Sequence, residues 1–367
     1  MLIYITMFWY EAIICCIINK NGGFVNKTFV RDKSIVKIRY KNIVYLLLVM
    51  LPLWFVMGFR DGIGADFNSY KIIYKYIKDT GLNAYGMEKG YWYLNVLIGK
   101  FANNEQVIFV VTAFMIVFLY LKGMINSSKQ ILIPLMTFIG MGYYFYSMNI
   151  LRQYIAIAIV FSCFHYYEEE KIAKFVTAII IASSFHASVL IWIPIIILVQ
   201  LFKGKKFYFI TFIMAFLSRI FIQYFLKFIV KYTSYGNYFL SDNNFIQGRM
   251  SIWNVLVSGG TLLVAFMLRD KLYRINKNNE KRAKFVWIML LEYTIFDIWG
   301  DAVIRTALSF SFVLLILIND MFQCFEKKTS IFLKMIYIVF LFVIMLVIVN
   351  YGGNYVPYVS CFKDIFN

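Results

Sequence analysis

Two short motifs place an arginine directly beside a long apolar run. Arg60 lies in GFRDGIGADFNSY, residues 58–70, and Arg152 lies in MNILRQYIAIAIVF, residues 148–161. The planar guanidinium suits phosphate oxygens, and an arginine in hydrocarbon costs roughly 2.5–3.5 kcal/mol unless it faces protein, water or an anion. Snorkelling of Arg152 to the lipid headgroups is the simpler alternative. The arginine motifs lead to the hypothesis of a site for a phosphorylated substrate.

Carboxylates and an imidazole accompany the arginines. Asp66 lies in the first motif, and His186 lies in IASSFHASVLIWIPI, residues 181–195. Such groups perform general acid–base catalysis when they reach a reacting atom. Asp66, His186 and Asp301 are therefore the candidate catalytic groups. The alternatives are a helix N-cap for Asp66, a structural role in a turn for His186, and an ion pair with Arg305, four residues along one helix, for Asp301.

The elements that must position these residues are membrane helices. Of the 367 residues, 62% are hydrophobic and only 15% are charged, whereas a soluble domain carries about a quarter of charged residues. A membrane crossing needs roughly 20 apolar residues. The sequence predicts one all-α transmembrane domain, 1–367, of about 12 transmembrane helices. Ten predicted spans are 2–18, 42–59, 106–125, 131–148, 150–167, 207–230, 252–270, 285–300, 302–324 and 331–351.

The remaining two spans come from one long apolar stretch, 172–202. As a single helix it would be about 46 Å long, which exceeds one ordinary crossing. The segment SSFHASVL interrupts it with polar residues. We therefore predict two short helices that meet in a turn at His186.

The basic residues test this topology. The formal net charge is +18, and cytoplasmic loops of membrane proteins carry an excess of lysine and arginine. Most basic residues fall in loops that the predicted topology places on one side: 19–41, 122–130, 168–174, 203–206, 269–284 and 325–334. That side is predicted to be cytoplasmic, with both termini on the other side. Since topology accounts for most of the positive charge, we expect no nucleic-acid partner.

The opposite, outer side carries two extended loops, 60–105 and 231–251. Aromatic pieces of the first loop, Tyr70 to Ile77 and Tyr91 to Phe101, predict helices on the membrane surface. The topology also gathers on this side the polar residues Arg60, Asp61, Asp66, Glu88, Asn149, Arg152, Gln153, His186, Ser188, Arg249, Asp297, Asp301 and Arg305. Convergent arginines there suit a lipid-linked phosphate or pyrophosphate. No DxD pair and no cysteine–histidine cluster occurs, so we expect neither a metal nor another cofactor.

The order of several motifs resembles the EpsG family of Wzy-type oligosaccharide-repeat polymerases. These motifs are YITMFWYEAIICC, GFRDGIGADFNSY, MEKGYWYLN (87–95), LRQYIAIAI (151–159) and IASSFHASVLIWIPI; DAVIRTALSF (301–310) is a weaker match. The resemblance implies a GT-C-like helical fold. It also implies polymerisation of capsule, exopolysaccharide or O-antigen units at the outer face of a bacterial cytoplasmic membrane.

In such enzymes a glycan moves from its polyprenyl pyrophosphate onto a second lipid-linked repeat unit. On this basis, the residues expected to bind pyrophosphate or glycan are Arg60, Tyr70, Glu88, Arg152, Gln153, Arg249 and Arg305. The expected partners are polyprenyl-pyrophosphate-linked oligosaccharides, the bilayer, a chain-length regulator and a flippase. Two alternatives remain open: a flippase or transporter of the same lipid-linked sugars, and a glycan ligase that uses the same donor class.

Overall fold

A computed structural model describes residues 1–24, 34–128, 130–232, 252–295 and 305–362, without the side chains of 34–41 and 222–232. The described chain is helical and contains no β-strand; Arg60 and Ser360 form one isolated bridge. The predicted all-α class is therefore confirmed. The α-helices, in chain order, are α1 (Leu2–Lys20), α2 (Ser34–Gly58), α3 (Phe67–Thr80), α4 (Lys89–Gly99), α5 (Gln106–Ser127), α6 (Leu132–Gly140), α7 (Tyr143–Asn149), α8 (Leu151–Glu168), α9 (Ile172–Ser183), α10 (Trp192–Leu201), α11 (Lys205–Tyr232), α12 (Ile252–Met267), α13 (Arg269–Ile275), α14 (Asn279–Ile295), α15 (Ser311–Phe322) and α16 (Lys327–Tyr351).

Several of these helices have the length and apolarity of membrane spans. Among the described residues, four qualify alone, namely α1, α5, Arg305–Phe322 and α16, and the bent pair α12–α13 gives a fifth. Shorter apolar helices cover Asn42–Gly58, Ile172–Ser183 and Ala187–Leu201. These helices and the apolar composition together identify the chain as a membrane protein. The count of about 12 spans and the GT-C-like arrangement remain predictions.

The helix boundaries test two details of the predicted spans. The predicted break near His186 is confirmed, because α9 ends at Ser183 and a 3₁₀ turn, Ala187–Ile191, precedes α10. The single helix predicted over 131–148 is wrong, because the structure divides it into α6 and α7. Gly142, with φ of 83°, separates the two helices in a left-handed conformation that favours glycine.

One compact unit comprises Met1–Val189 and Lys327–Asn367. Its core is the packing of α5 against α8 and α2. A Cβ atom on Gly123 of α5 would lie 2.6 Å from the Phe161 ring of α8, so this glycine permits the close approach of the two helices. On the other side of α5, the Trp54 indole N–H of α2 donates to the Val110 carbonyl at 2.8 Å. This core supports the ends of α2, α5 and α8, where the polar motifs lie.

The second compact unit comprises Leu190–Glu326. Its core surrounds Trp192, whose ring lies 4.8 Å from that of Phe285 and 4.7 Å from that of Phe310, measured between centroids. A buried ion pair joins Arg282 of α14 to Asp320 of α15 at 2.8 Å. Because an unpaired buried charge is costly, this pair fixes the register between the two helices.

Candidate functional site

Arg60 lies in the connection between α2 and α3, where its guanidinium is fully buried. Its Nε donates to the Ile63 carbonyl at 3.1 Å, one terminal nitrogen donates to the Met148 carbonyl at 2.8 Å, and the other donates to the Met57 carbonyl. The guanidinium also lies 4.9 Å from the centre of the Phe109 ring. Each nitrogen of the guanidinium is thus engaged by the protein itself.

The surroundings of Arg60 keep it charged without exposing it to a substrate. Burial lowers the pKa of Arg60 to about 10, and nearby tyrosines, Tyr144 foremost, act in the opposite direction. The guanidinium therefore remains a cation at neutral pH. Its geometry is that of an internal brace that holds the first motif against the end of α7. The phosphate-binding role of Arg60 stays a prediction, and because its guanidinium already donates to carbonyls of the protein, the site proposed below is built without it.

The glycine-rich part of the first motif contacts Asn149, the last residue of α7. Asn149 accepts a hydrogen bond from the Ala65 amide at 3.0 Å and donates to the Tyr355 hydroxyl at 2.8 Å. Gly64 has φ of +98°, and a Cβ atom there would lie 2.5 Å from the Asn149 Oδ1. The Gly64 amide also donates to the Asn354 carbonyl at 3.1 Å. The loop is therefore built around a close approach that only glycine permits.

This contact makes a prediction about two neighbouring glycines. Gly64→Ala should lower the free energy of unfolding by about 2–4 kcal/mol, since it adds a clash with Asn149 to the conformational strain. The matched control is Gly62→Ala, because Gly62 also has positive φ but nothing lies within 4 Å of its added Cβ; strain alone should cost about 1–2 kcal/mol. Thermal unfolding of the purified variants in detergent measures both. Equal losses would contradict the role of the Asn149 contact.

Arg152, the second residue of α8, is at the centre of a polar cluster. One of its terminal nitrogens forms an ion pair with Glu88 Oε2, and the guanidinium also hydrogen-bonds the Tyr70 hydroxyl. The side chains of Arg152 and Glu88 are 26% and 22% exposed. In contrast to Arg60, this arginine is partly exposed. We call Tyr70, Glu88 and Arg152 the arginine cluster.

The cluster rests on the two helices of the loop 60–105, which the sequence predicts to lie on the outer side. The predicted helices of this loop are confirmed as α3 and α4, and their position on a membrane surface stays a prediction. Tyr70 belongs to α3, and its ring meets that of Tyr91 in α4 edge to face at 6.0 Å. Burial raises the pKa of the Tyr70 hydroxyl, and Arg152 partly offsets this effect. Tyr70 therefore stays neutral, and Glu88 supplies the negative charge of the cluster.

His186 lies in the turn between α9 and the following 3₁₀ helix. The Ser188 amide donates to the His186 Nδ1 at 3.2 Å, and the Ser188 hydroxyl lies 2.9 Å from the same nitrogen. Because a backbone N–H can only donate, Nδ1 is an acceptor here, and the proton of the neutral ring resides on Nε2. His186 thus presents a donor rather than a base at Nε2.

The turn of His186 is attached to the arginine cluster through α4. The Gly90 amide, two residues after Glu88, donates to the Ser184 carbonyl at 2.7 Å. A Cβ on Gly90 would lie 2.4 Å from the Ser184 hydroxyl, so the two segments touch directly. The beginning of α4 therefore contacts the turn of His186 and carries the partner of Arg152.

Asp66 precedes α3 in the N-cap position, but its side chain makes no capping hydrogen bond. The carboxylate is half-buried and lies within electrostatic reach of the Tyr70 and Tyr355 hydroxyls. Since Tyr70 also bonds Arg152, Asp66 lies at the edge of the arginine cluster. Asp66 therefore occupies the N-cap position without capping the helix, and its carboxylate is available for other chemistry.

The remaining predicted site residues lie in the core of α8, in the second unit or outside the described part of the chain. Gln153 follows Arg152 on α8 but is buried in the helical core, 1% exposed. Arg305 is half-buried at the start of the helical segment Arg305–Phe322 in the second unit. Arg249 and Asp301 lie outside the described residues, as does most of the loop 231–251. The structure therefore brings together Asp66, Tyr70, Glu88, Arg152 and, through α4, the turn of His186.

Comparison with protein-family models decides the relationship of this chain to known proteins. The model described as the EpsG family matches residues 43–360. The chain belongs to the EpsG family. The matched region begins in α2 and includes the first motif, the arginine cluster and the turn of His186. Searches of curated proteins and of solved structures gave no match. Family membership associates the chain with polysaccharide polymerisation at a membrane.

Two carboxylates of this EpsG-family protein were missed as candidates in the sequence. Glu292 of α14 is buried and accepts a hydrogen bond from the Thr306 hydroxyl at 2.8 Å. Glu11 of α1 is fully buried, and neither of its carboxyl oxygens has a hydrogen-bond partner among the described residues. Both residues lie inside predicted spans. The sequence signal that could have identified them is a carboxylate inside an apolar run, because placing such a group in hydrocarbon costs free energy.

Proposed function

We propose that this EpsG-family protein is a glycosyltransferase of the Wzy-type polymerase class. It transfers a glycan from polyprenyl pyrophosphate onto the non-reducing end of a second lipid-linked repeat unit. The reaction takes place at the outer face of the bacterial cytoplasmic membrane, with both termini of the protein on that side. The product is a polysaccharide of the capsule, exopolysaccharide or O-antigen type. A chain-length regulator and a flippase are the proposed protein partners.

The arginine cluster is the observation that carries this proposal. Arg152 is partly exposed, and Glu88 and Tyr70 fix its orientation. The guanidinium fork matches the oxygens of a phosphate, and a positioned cation stabilises the charge that develops on a leaving pyrophosphate. Glu88 holds the arginine in place until a more highly charged anion engages its remaining N–H groups. The cluster thus suits the donor headgroup.

The proposed step is a displacement at the anomeric carbon of the donor. The acceptor hydroxyl oxygen forms the new glycosidic bond, and the bond between the anomeric carbon and the pyrophosphate oxygen breaks. The electron pair of that bond leaves with the polyprenyl pyrophosphate, and Asp66 takes the proton of the acceptor hydroxyl. His186 donates from Nε2 to a substrate oxygen rather than acting as the base. Arg249, Arg305 and Asp301 remain further candidates on the sequence pattern alone.

A change at Glu88 tests its positioning role. Glu88→Gln should lower the kcat/KM of polymerisation about tenfold, since hydrogen bonds to charged groups contribute roughly 1.5–3 kcal/mol and this pair is partly exposed. Glu88→Asp keeps the charge and should retain more activity than the glutamine variant. Initial rates over a range of lipid-linked donor concentrations give kcat and KM separately. Unchanged kinetics in Glu88→Gln would remove Glu88 from the site.

The accumulation of intermediates in cells separates the proposed function from its alternatives. A strain that lacks this protein should accumulate single lipid-linked repeat units on the outer leaflet of its cytoplasmic membrane. Accumulation on the inner leaflet would identify a flippase instead. Outer-leaflet chains that are already polymerised, but are not attached to a final acceptor, would identify a ligase.

A further inference from the structure

A cavity of chemical interest lies within the Leu190–Glu326 unit, which does not contain the arginine cluster. Its volume is about 880 Å³. The lining combines aromatic residues, among them Tyr208, Phe266 and Trp287, with the basic residues Lys205, Arg269 and Arg274. The cavity thus has an apolar wall and a cationic rim. This combination points to an amphipathic anion.

The shape of the cavity follows from a sharp bend between two helices. The helices α12 and α13 meet at an angle of 84° around Leu268. The rings of the aromatic wall pack against one another. The centre of the Tyr208 ring lies 5.4 Å from that of Phe266 and 5.5 Å from that of Trp287. The Trp287 indole donates to the Thr211 hydroxyl at 3.0 Å, which fixes the orientation of the indole. The cavity is therefore a preformed feature of this unit.

The basic residues of the rim differ from the cations that stabilise the fold nearby. Arg282 is paired with Asp320, and Lys284 donates to the Phe202 carbonyl at 3.1 Å and lies 3.8 Å from Glu280. Lys205, Arg269 and Arg274 are exposed, and none of them forms an ion pair within the described part of the chain. The lining also contains Asp270 and Glu280. Basic groups outnumber acidic ones at the rim, and the Glu280 charge already has Lys284 as its neighbour.

Large apolar side chains adjoin the aromatic wall in sequence and are exposed. Phe209, next to Tyr208, is 67% exposed, and Met267, next to Phe266, is 78% exposed. In a membrane protein such surfaces contact acyl chains. The rim residues belong to the segments 203–206 and 269–284, which the sequence predicts to lie at the cytoplasmic surface. The cavity therefore places basic side chains, at the predicted level of the lipid headgroups, next to an apolar wall.

We propose that this cavity binds the headgroup of an anionic glycerophospholipid, with the phosphate at Lys205, Arg269 and Arg274 and the upper acyl chain along Tyr208, Phe266 and Trp287. Basic cavities between membrane helices on the cytoplasmic side bind anionic headgroups in this way. The volume fits a headgroup and part of its chains, since ligand cavities span roughly 300–1,000 Å³. The site is independent of the proposed polymerase chemistry, which uses the outer face.

Binding of defined lipids to the full-length protein tests this proposal. Native mass spectrometry from neutral detergent should show retention of phosphatidylglycerol at least tenfold stronger than that of phosphatidylcholine. The double variant Arg269→Gln/Arg274→Gln should lose this preference. The matched control is Lys327→Gln/Lys328→Gln, which removes two exposed lysines from the start of α16, on the same predicted side, and should keep it. Equal retention of phosphatidylglycerol by the cavity variant and the wild type would overturn the proposal.

A second measurement does not depend on the folding of that variant. Phosphatidylglycerol with brominated acyl chains should quench tryptophan fluorescence, and the Trp287→Phe protein should lack part of the quenched signal. An identical quenching curve in Trp287→Phe would contradict contact between the lipid and the aromatic wall. Soluble glycerol phosphate should displace little of the bound lipid. Displacement at equal concentration would show that the cavity recognises a free phosphate instead.

Discussion

Replacement of Arg152 by glutamine is expected to reduce polymerisation by about two to three orders of magnitude, the usual loss when one donor to a developing negative charge is removed. The arginine is held by Glu88 and Tyr70 at the surface of its unit. Glutamine keeps some hydrogen-bonding capacity but loses the charge and the planar fork. The loss should therefore appear mainly in kcat, because the leaving pyrophosphate gains charge in the transition state.

Two comparisons make the Arg152 result specific. Arg152→Lys retains the charge without the fork and should recover only part of the activity. Lys171→Gln removes a cation from an exposed pair with Glu169, at 2.7 Å, just beyond the other end of α8, and should leave polymerisation unchanged. Wild-type rates in Arg152→Gln, with normal insertion and folding, would eliminate the pyrophosphate role of Arg152.

Arg60→Met is expected to destabilise the protein by about 3–5 kcal/mol rather than to affect catalysis directly. The change leaves the carbonyls of Met57, Ile63 and Met148 without their donor in a buried place, and each unsatisfied buried group costs roughly 1–3 kcal/mol, less where neighbours relax. The midpoint of thermal unfolding in detergent measures the effect. The fluorescence of the purified protein during heating provides this midpoint.

The control for the Arg60 variant is Lys71, a second cation near the Phe67 ring. The Lys71 ammonium is 5.6 Å from the centre of the Phe67 ring, and the Arg60 guanidinium is 5.8 Å from it. Lys71→Met removes a cation near that ring without leaving buried carbonyls unpaired, so its unfolding midpoint should barely change. An Arg60→Met protein that is fully stable but inactive would restore Arg60 to the substrate site.

The sequence predicted local features of the fold better than the pairing of distant residues. The break near His186 was predictable because polar residues interrupt a stretch too long for one crossing. The helices α3 and α4 were predictable from their aromatic pattern. The division at Gly142 was not, because one glycine inside an apolar run is compatible with a continuous helix, and packing determines whether its backbone turns.

Arg60 and Arg152 show the same limit of prediction from sequence. Both were predicted to face a phosphate, since both stand beside apolar runs. The structure distinguishes them through partners far along the chain: Met148 accepts from Arg60, and Glu88 pairs with Arg152. Burial and long-range acceptors leave Arg60 enclosed and Arg152 partly exposed, and neither property is encoded in the spacing of a motif.

The most direct test of the central claim is polymerisation by the purified protein in liposomes that contain polyprenyl-pyrophosphate-linked repeat units. We predict a ladder of glycans on gels, with one polyprenyl pyrophosphate released for each new glycosidic bond, and no ladder with Arg152→Gln. Repeat units that cross the bilayer or remain single, without release of polyprenyl pyrophosphate, would contradict the assignment as a polymerase.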